Sequence, residues 1–236
     1  MFRIVFVIDI FKGIAVHAVR GERLKYQPFH GSKICTSSDP LEMITELKPH
    51  EVYIADLDRL QRIGENFETI EQITAITKTM VDIGVETKED IVKCAGIADT
   101  VILGTETASL DLIERAVHSY PGRINVSIDI KSGKVLTKDR KMGKEPLELI
   151  RSMNEYDIKD IIILNLDKVG TGQGIDAELF CNIVRISKHN IMAGGGIRDM
   201  SDINILKDLG VGGALVATAL HNGKIPLELI IEPCSE

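Results

Sequence analysis

The stretches VIDIFKGIAV (7–16) and SIDIKSGKVL (127–136) each bring a β-branched run to an aspartate, Asp9 or Asp129, with a glycine four residues further on. Two carboxylates facing each other across a cavity can divide general-acid and general-base work when their surroundings push their pKa values apart. A single aspartate after a strand more often caps its own loop by accepting backbone N–H groups. A matched pair at strand ends favours catalysis. A further stretch, MAGGGIRDMSD (192–202), sets three glycines between a strand and a helix start. There, exposed amides and the helix dipole suit a phosphate, although such turns also arise for steric reasons alone. Gly195 and Gly196 are the candidate phosphate contacts, with Thr218 of ATALHNG (217–223) as a further donor. The segment HAVRGERLKYQPFHGSK (17–33) gathers basic and ring-bearing side chains. Its Arg20, Arg23, Lys25 and Tyr26 are candidates for holding an anionic substrate, against the competing reading of a solvated loop.

Such groups need a scaffold that brings distant positions together. Strands are expected at 2–9, 51–56, 79–83, 100–104, 123–129, 160–166, 190–194 and 213–217. Most are continuous apolar runs, as for parallel strands buried on both faces. Amphipathic stretches alternate with them, for example 39–48, 109–118, 145–153 and 176–186, several opening on an Asp or Ser suited to capping. Eight strands and about eight helices fit a closed α/β barrel of the (β/α)8 type, with chemistry at the C-terminal strand ends. No linker interrupts the alternation, so residues 1–236 read as one barrel domain. In such barrels a phosphate site after strands seven and eight is frequent, which is where the glycine run falls.

The chain also repeats itself. Asp9 and Asp129 are 120 positions apart, Asp56-Leu57-Asp58-Arg59 returns as Asn165-Leu166-Asp167-Lys168 after 109, and Gly104-Thr105 faces Ala217-Thr218 after 113. That offset describes two half-barrels, each leaving sheet edges that the other closes. The halves differ at one place. Where the second has Gly194, Gly195 and Arg198, the first has Asp82, Ile83 and Glu86, and two acidic side chains there would repel an anion.

Composition narrows the classes of function. The chain has 236 residues, 44% of them apolar, and a formal net charge of −7 without long like-charge blocks, which argues against a general nucleic-acid or membrane-surface binder. The four cysteines lack metal-ligand or redox spacing. No apolar run spans a bilayer, and MFRIVFVIDI breaks into charge too early for a signal peptide, so a cytoplasmic location is expected. Met80, Met153 and Met192 are assigned to core filling.

Taken together, IDIFKG with its second copy IDIKSGKV, IADLDR, VILGTE, KVGTGQG, AGGGIRDMSDINIL and ATALHNGK resemble the HisA/HisF family of histidine biosynthesis over almost the whole chain. Its two member types are the phosphoribosylformimino-aminoimidazole carboxamide ribotide isomerase and the imidazole glycerol phosphate synthase cyclase. The resemblance implies Asp9 and Asp129 as base and acid of an Amadori rearrangement, with no metal or redox cofactor. It adds Gly172 to the phosphate contacts, and Asn165, Thr171, Gly104 and Thr105 to the substrate contacts. The implied partner is a small phosphorylated substrate, with no nucleic acid or membrane, and the protein is expected to be a monomer or small homo-oligomer. Three departures from the isomerase pattern stand out: Asp82 and Ile83 replace glycines after strand three, Leu164 and Asn165 replace a Thr-Asp pair at the end of strand six, and His17 replaces an arginine. The first loop, VHAVRGERLKYQP, is similar to a diverged group of isomerase-like proteins in methanogenic archaea. Two alternatives stay open: a lyase, cyclase or condensing enzyme acting on a singly phosphorylated coenzyme precursor, and a non-catalytic phosphometabolite-binding protein.

Overall fold

A computed structural model describes residues 2–22, 26–28 and 31–231. Eight parallel strands form its centre: β1 (Arg3–Phe11), β2 (Glu51–Asp56), β3 (Lys78–Asp82), β4 (Thr100–Gly104), β5 (Ile124–Lys131), β6 (Asp160–Asn165), β7 (Asn190–Gly194) and β8 (Gly213–Val216). Each pairs with the next, and β8 returns to β1 through the register Arg3↔Gly213 to Phe6↔Val216, which closes the sheet into a (β/α)8 barrel. The expected strands match the observed ones to within two residues at most ends, because parallel barrel strands are apolar on both faces and leave long unbroken hydrophobic runs.

Those two faces feed two cores. Val5, Tyr53, Met80, Ile102, Ile162, Met192 and Leu215 fill the barrel interior. Their neighbours in sequence, such as Phe6, Ile54, Val81 and Leu103, point outward and pack under helices through Ile44, Ile70, Ile91 and Ile113. Met80, Met153 and Met192 are all wholly buried. The helices start where the capping residues stand: Asp39, Ser109 and Asp176 each accept a backbone N–H of the first turn, and Thr87 and Asp90 form a reciprocal capping box. The N-terminal end of the barrel is closed by Arg3, which pairs with Asp160 at 2.5 Å and with Glu51 at 3.3 Å.

Two strands overrun the barrel. β1 turns at Lys12-Gly13 into an antiparallel arm, Ile14–His17, and β5 turns at Ser132-Gly133 into Lys134–Val135. The central residues of both turns have positive φ, 51° and 77° in the first and 52° and 74° in the second. That is a two-residue hairpin of the type whose twist matches its strands, and a glycine in the second central place permits it. The glycine four residues after each aspartate is therefore a turn residue. Each turn is pinned alike: Lys12 N–H donates to Asp58 Oδ2 and Ser132 N–H to Asp167 Oδ2, both at 2.6 Å. The antiparallel arms were not expected from sequence, where residues 17–33 read as loop. Gln27–Pro28 pairs with Val16 and His17 as a third short strand, so part of that segment is sheet.

Candidate active site

The C-terminal ends of all eight strands line one cavity of about 190 Å³, to which Asp9, Ala55, Asp82, Gly104, Asp129, Leu164, Gly195 and Ala217 contribute in strand order. Its wall is acidic on the side of the first five strands and glycine-rich on the other.

On the acidic side Asp129 is buried, 6% exposed. Its Oδ1 accepts the Ser127 hydroxyl at 2.8 Å, its Oδ2 the Glu106 N–H at 3.3 Å, and its own N–H donates to the Thr105 hydroxyl oxygen at 3.0 Å. Burial first, and the Asp82 carboxylate second, push its pKa up to about 7 against the hydrogen bonds from Ser127 and Glu106. A carboxyl so placed holds its proton near neutrality and can give it up. Asp9, which lines the same cavity, is only partly buried. Between them lies Tyr53, whose phenol contacts Asp82 Oδ2 at 3.5 Å and is held well above its usual pKa by burial and by Asp82, Asp129 and Asp9. The Tyr53 hydroxyl thus remains an O–H donor.

On the glycine side, Gly195 and Gly196 have φ of 88° and 89°. A Cβ at Gly195 would lie 2.4 Å from the Asn165 carbonyl oxygen and one at Gly196 2.7 Å from Lys168 Cβ, so only glycine lets the loops after β6 and β7 press together. Thr218 stands beside them, its hydroxyl 3.0 Å from His17 Nε2. Burial lowers the pKa of His17, and burial with the neighbouring His17 lowers that of His221 to about 4. The first loop reaches across this side: Arg20 N–H donates to the Val169 carbonyl at 2.9 Å, and Gly170 lies so close to Ala18 that a Cβ would come within 2.1 Å of its carbonyl oxygen.

The counterpart of the glycine turn after β3 is built differently. Gly84 N–H donates to Asp82 Oδ1 at 2.8 Å, and Leu60 packs where a Gly84 side chain would go. Glu86 pairs with Arg62 at 2.8 Å and with Lys138 at 3.1 Å.

A family model described as "Histidine biosynthesis protein" matches residues 3–226. The chain belongs to that family. Among its similar relatives is an uncharacterised protein of Methanocaldococcus jannaschii, 37% identical over 97% of each chain. Others carry the name 1-(5-phosphoribosyl)-5-((5-phosphoribosylamino)methylideneamino) imidazole-4-carboxamide isomerase. That of Methanosphaera stadtmanae is 29% identical over 94% of each chain, and that of Clostridium botulinum 28% identical over 95% of this chain and 94% of its own.

Of the residues singled out in this family member's sequence, Asp9, Asp129, Gly195, Gly196, Gly172, Thr218, Tyr26 and Gly104 line the cavity. Thr105 lies fully buried beneath Asp129 and touches it instead of the cavity. Arg20 is exposed, Thr171 donates its hydroxyl to the Lys168 carbonyl at 2.8 Å, and Asn165 lies behind Gly195; none of the three lines the wall. Arg23 and Lys25 lie outside the described residues. Asp82, which the sequence reading set after strand three as a residue repelling a second anion, lines the wall, and Tyr53 and Glu106 are wall residues that sequence reasoning did not single out. The signal for Asp82 was available: TMVD ends a strand on an aspartate as FVID and VSID do. Among the described residues, no group of three or more His, Cys, Asp or Glu is arranged to hold a metal ion, and no helix is long and apolar enough to cross a membrane.

Proposed function

We propose that this protein is an acid/base isomerase of the aldose-ketose, Amadori type, acting on a ribosyl-amine or related sugar carrying one phosphate. The observation that carries the reading is that Asp9 and Asp129 line the same cavity as Gly195, Gly196 and Thr218. Its similarity to the named isomerases supports the reaction class.

Asp129, the buried carboxyl with the raised pKa, is the acid. It protonates the ring oxygen; the C1–O bond breaks toward oxygen as the nitrogen lone pair forms a C1=N bond. Asp9, the more exposed carboxylate, is the base. It takes the C2 proton, whose electrons form C1=C2 while the C=N pair returns to nitrogen. Protonation at C1 and loss of the C2 hydroxyl proton give the aminoketose, with no net change in atoms. Gly195, Gly196 and Gly172, with Thr218 beside His17, hold the phosphate.

Among the described residues, one such cradle is available. The named relatives' substrate carries two phosphoribosyl groups by its name, whereas Asp82 and Glu86 stand where a second cradle would lie. Phosphorylated glycosylamines and aldose phosphates incubated in D2O should gain one deuterium at C1 in the product, read by NMR. Full activity in both Asp9→Asn and Asp129→Asn would refute the assignment; binding without exchange would leave a carrier protein. Expression in a histidine-requiring strain lacking the isomerase should give no rescue. Growth there would restore the doubly phosphorylated substrate.

A further inference from the structure

We propose that Tyr53 is a further catalytic residue of the isomerisation, its phenol O–H donating to the oxygen on C2 of the sugar as that hydroxyl becomes the ketone. This rests on the isomerase reading above and gives a residue to the second half of that reaction.

Tyr53 and Ala55 both line the cavity from β2, and the sheet register sets Ala55 level with Asp9 on one side and with Asp82 on the other. Ala55 raises only a methyl between those two acids. Tyr53 lies one inward-facing place below that level, 5% exposed, and its ring reaches the cavity in the space a larger residue at 55 would take. Among the described lining residues that β1 to β4 contribute, it alone brings a hydroxyl. Around it the barrel interior is apolar, with Met80, Ile102, Ile162 and Leu215 in the same cluster, so a phenylalanine would pack there with no polar atom to desolvate. The hydroxyl meets Asp82 Oδ2 only at 3.5 Å, near the outer limit for a hydrogen bond, and little is lost when it turns to a substrate oxygen. Burial, and after it Asp82, Asp129 and Asp9, keep the phenol proton in place, which makes Tyr53 a neutral donor among carboxylates.

The second half of the reaction needs such a donor. Once Asp9 has taken the C2 proton, the electron pair of C1=C2 takes a proton at C1. The C2 hydroxyl then gives its proton to the Asp129 carboxylate, which released its own to the ring oxygen, and C2–O becomes C=O. In the reverse direction, removal of the C1 proton drives negative charge onto that oxygen, and both directions share one transition state. Carboxylates nearby repel this charge, and an O–H aimed at the oxygen offsets the repulsion.

The test follows Tyr53→Phe in D2O by NMR, with glycosylamines of ribose 5-phosphate made from a panel of aryl and alkyl amines. Turnover should fall about 10²- to 10³-fold, the range for losing one donor to a developing oxyanion, with KM within about threefold of wild type. Thermal melting should be unchanged or higher, because no well-made hydrogen bond is lost. Asp9 still takes the C2 proton in this variant, so deuterium should enter C2 of the unreacted aldose, and the ratio of that exchange to product formation should rise about tenfold or more. The proposal is overturned by turnover within about threefold of wild type, by a loss carried in KM, or by exchange and turnover falling together, which would leave Tyr53 only shaping the site. Wild-type turnover that is abolished in Asp9→Asn and untouched in Tyr53→Phe would keep the isomerase reading and remove the role of Tyr53 alone. Absence of wild-type turnover across the whole panel removes both.

Discussion

The loops after β3 and β7 occupy equivalent places in the two halves of the barrel and do opposite things with the same backbone. After β7, Gly195 and Gly196 take positive φ, and the neighbouring loop packs where their side chains would stand. After β3, the chain supplies its own anion: Asp82 caps the Gly84 amide, and Glu86 is neutralised by Arg62 and Lys138. A duplicated scaffold therefore does not imply duplicated binding. With Asp82 and Ile83 standing where the other half has Gly194 and Gly195, the turn after β3 satisfies its own amide and adds a negative charge to the wall. The hairpins and their Asp58 and Asp167 contacts remain alike, so what diverges between the halves is the part facing the cavity.

The comparison breaks most sharply at the paired acids, one from each half. Asp9→Asn and Asp129→Asn should each lower turnover about 10²- to 10⁴-fold, the usual range for removing a general acid or base, with the fold unchanged by circular dichroism. Equal residual activity well above this range would mean that the acids only shape the wall. If Asp129 is the acid, wild-type kcat/KM should fall as pH rises through about 7, where its carboxyl loses its proton. A limb displaced toward lower pH in Asp82→Asn would confirm that Asp82 holds the proton in place.

The same group fixes a stability profile. The pKa of Asp129 is raised to about 7 in the folded protein, against roughly 4 in an unfolded chain. The folded state then binds the extra proton between those values, and the stability this gives is full below pH 4 and lost as pH rises to 7. Three pH units correspond to about 4 kcal/mol at most. Relative to wild type, Asp129→Asn should gain stability steadily from pH 4 to 7 and show no further gain above, in denaturant melts. A flat difference across that range would place the carboxyl in water.

How much of this was written in the sequence depends on what kind of force places each residue. Barrel strands were legible because burial on both faces leaves runs such as VYIA and IIIL that nothing interrupts. Helix starts were legible because Asp39, Ser109 and Asp176 cap locally. Asp9 and Asp129 were legible from their repetition. What could not be read is tertiary. Thr105 looks like Thr218 by offset, yet it is buried and its hydroxyl oxygen accepts the Asp129 N–H. Asn165 aligns with a strand-end position but lies behind Gly195 once the loops meet. That Asp82 and Asp129 both approach Gly104 is visible only in the folded chain.

Glycine at the two equivalent turns should tolerate change unequally. At Gly195 a Cβ meets backbone, the Asn165 carbonyl oxygen at 2.4 Å, while at Gly84 its nearest contact is the tip of Leu60 at 2.8 Å. Both sit at positive φ, which alone costs an alanine about 1–2 kcal/mol. Gly195→Ala should therefore lose roughly 3 kcal/mol or more together with phosphate affinity, and Gly84→Ala about 1–2 kcal/mol with affinity retained. Equal losses would show that the two turns are equally rigid.

The smallest effect concerns the pinned hairpins, which look the same and should not weigh the same. Asp58 is 5% exposed and accepts from both Lys12 N–H and the Asn66 side-chain amide, which in turn donates to Asp56. Asp167 is exposed, as is the bond it accepts from Ser132 N–H. Removing a carboxylate from a buried network strands its partners, whereas water replaces one at the surface. Asp58→Ala should cost about 2–3 kcal/mol and Asp167→Ala about 1 kcal/mol or less in thermal melts. A larger loss at Asp167 would move the weight of the hairpin to the fifth strand and with it the support for Asp129.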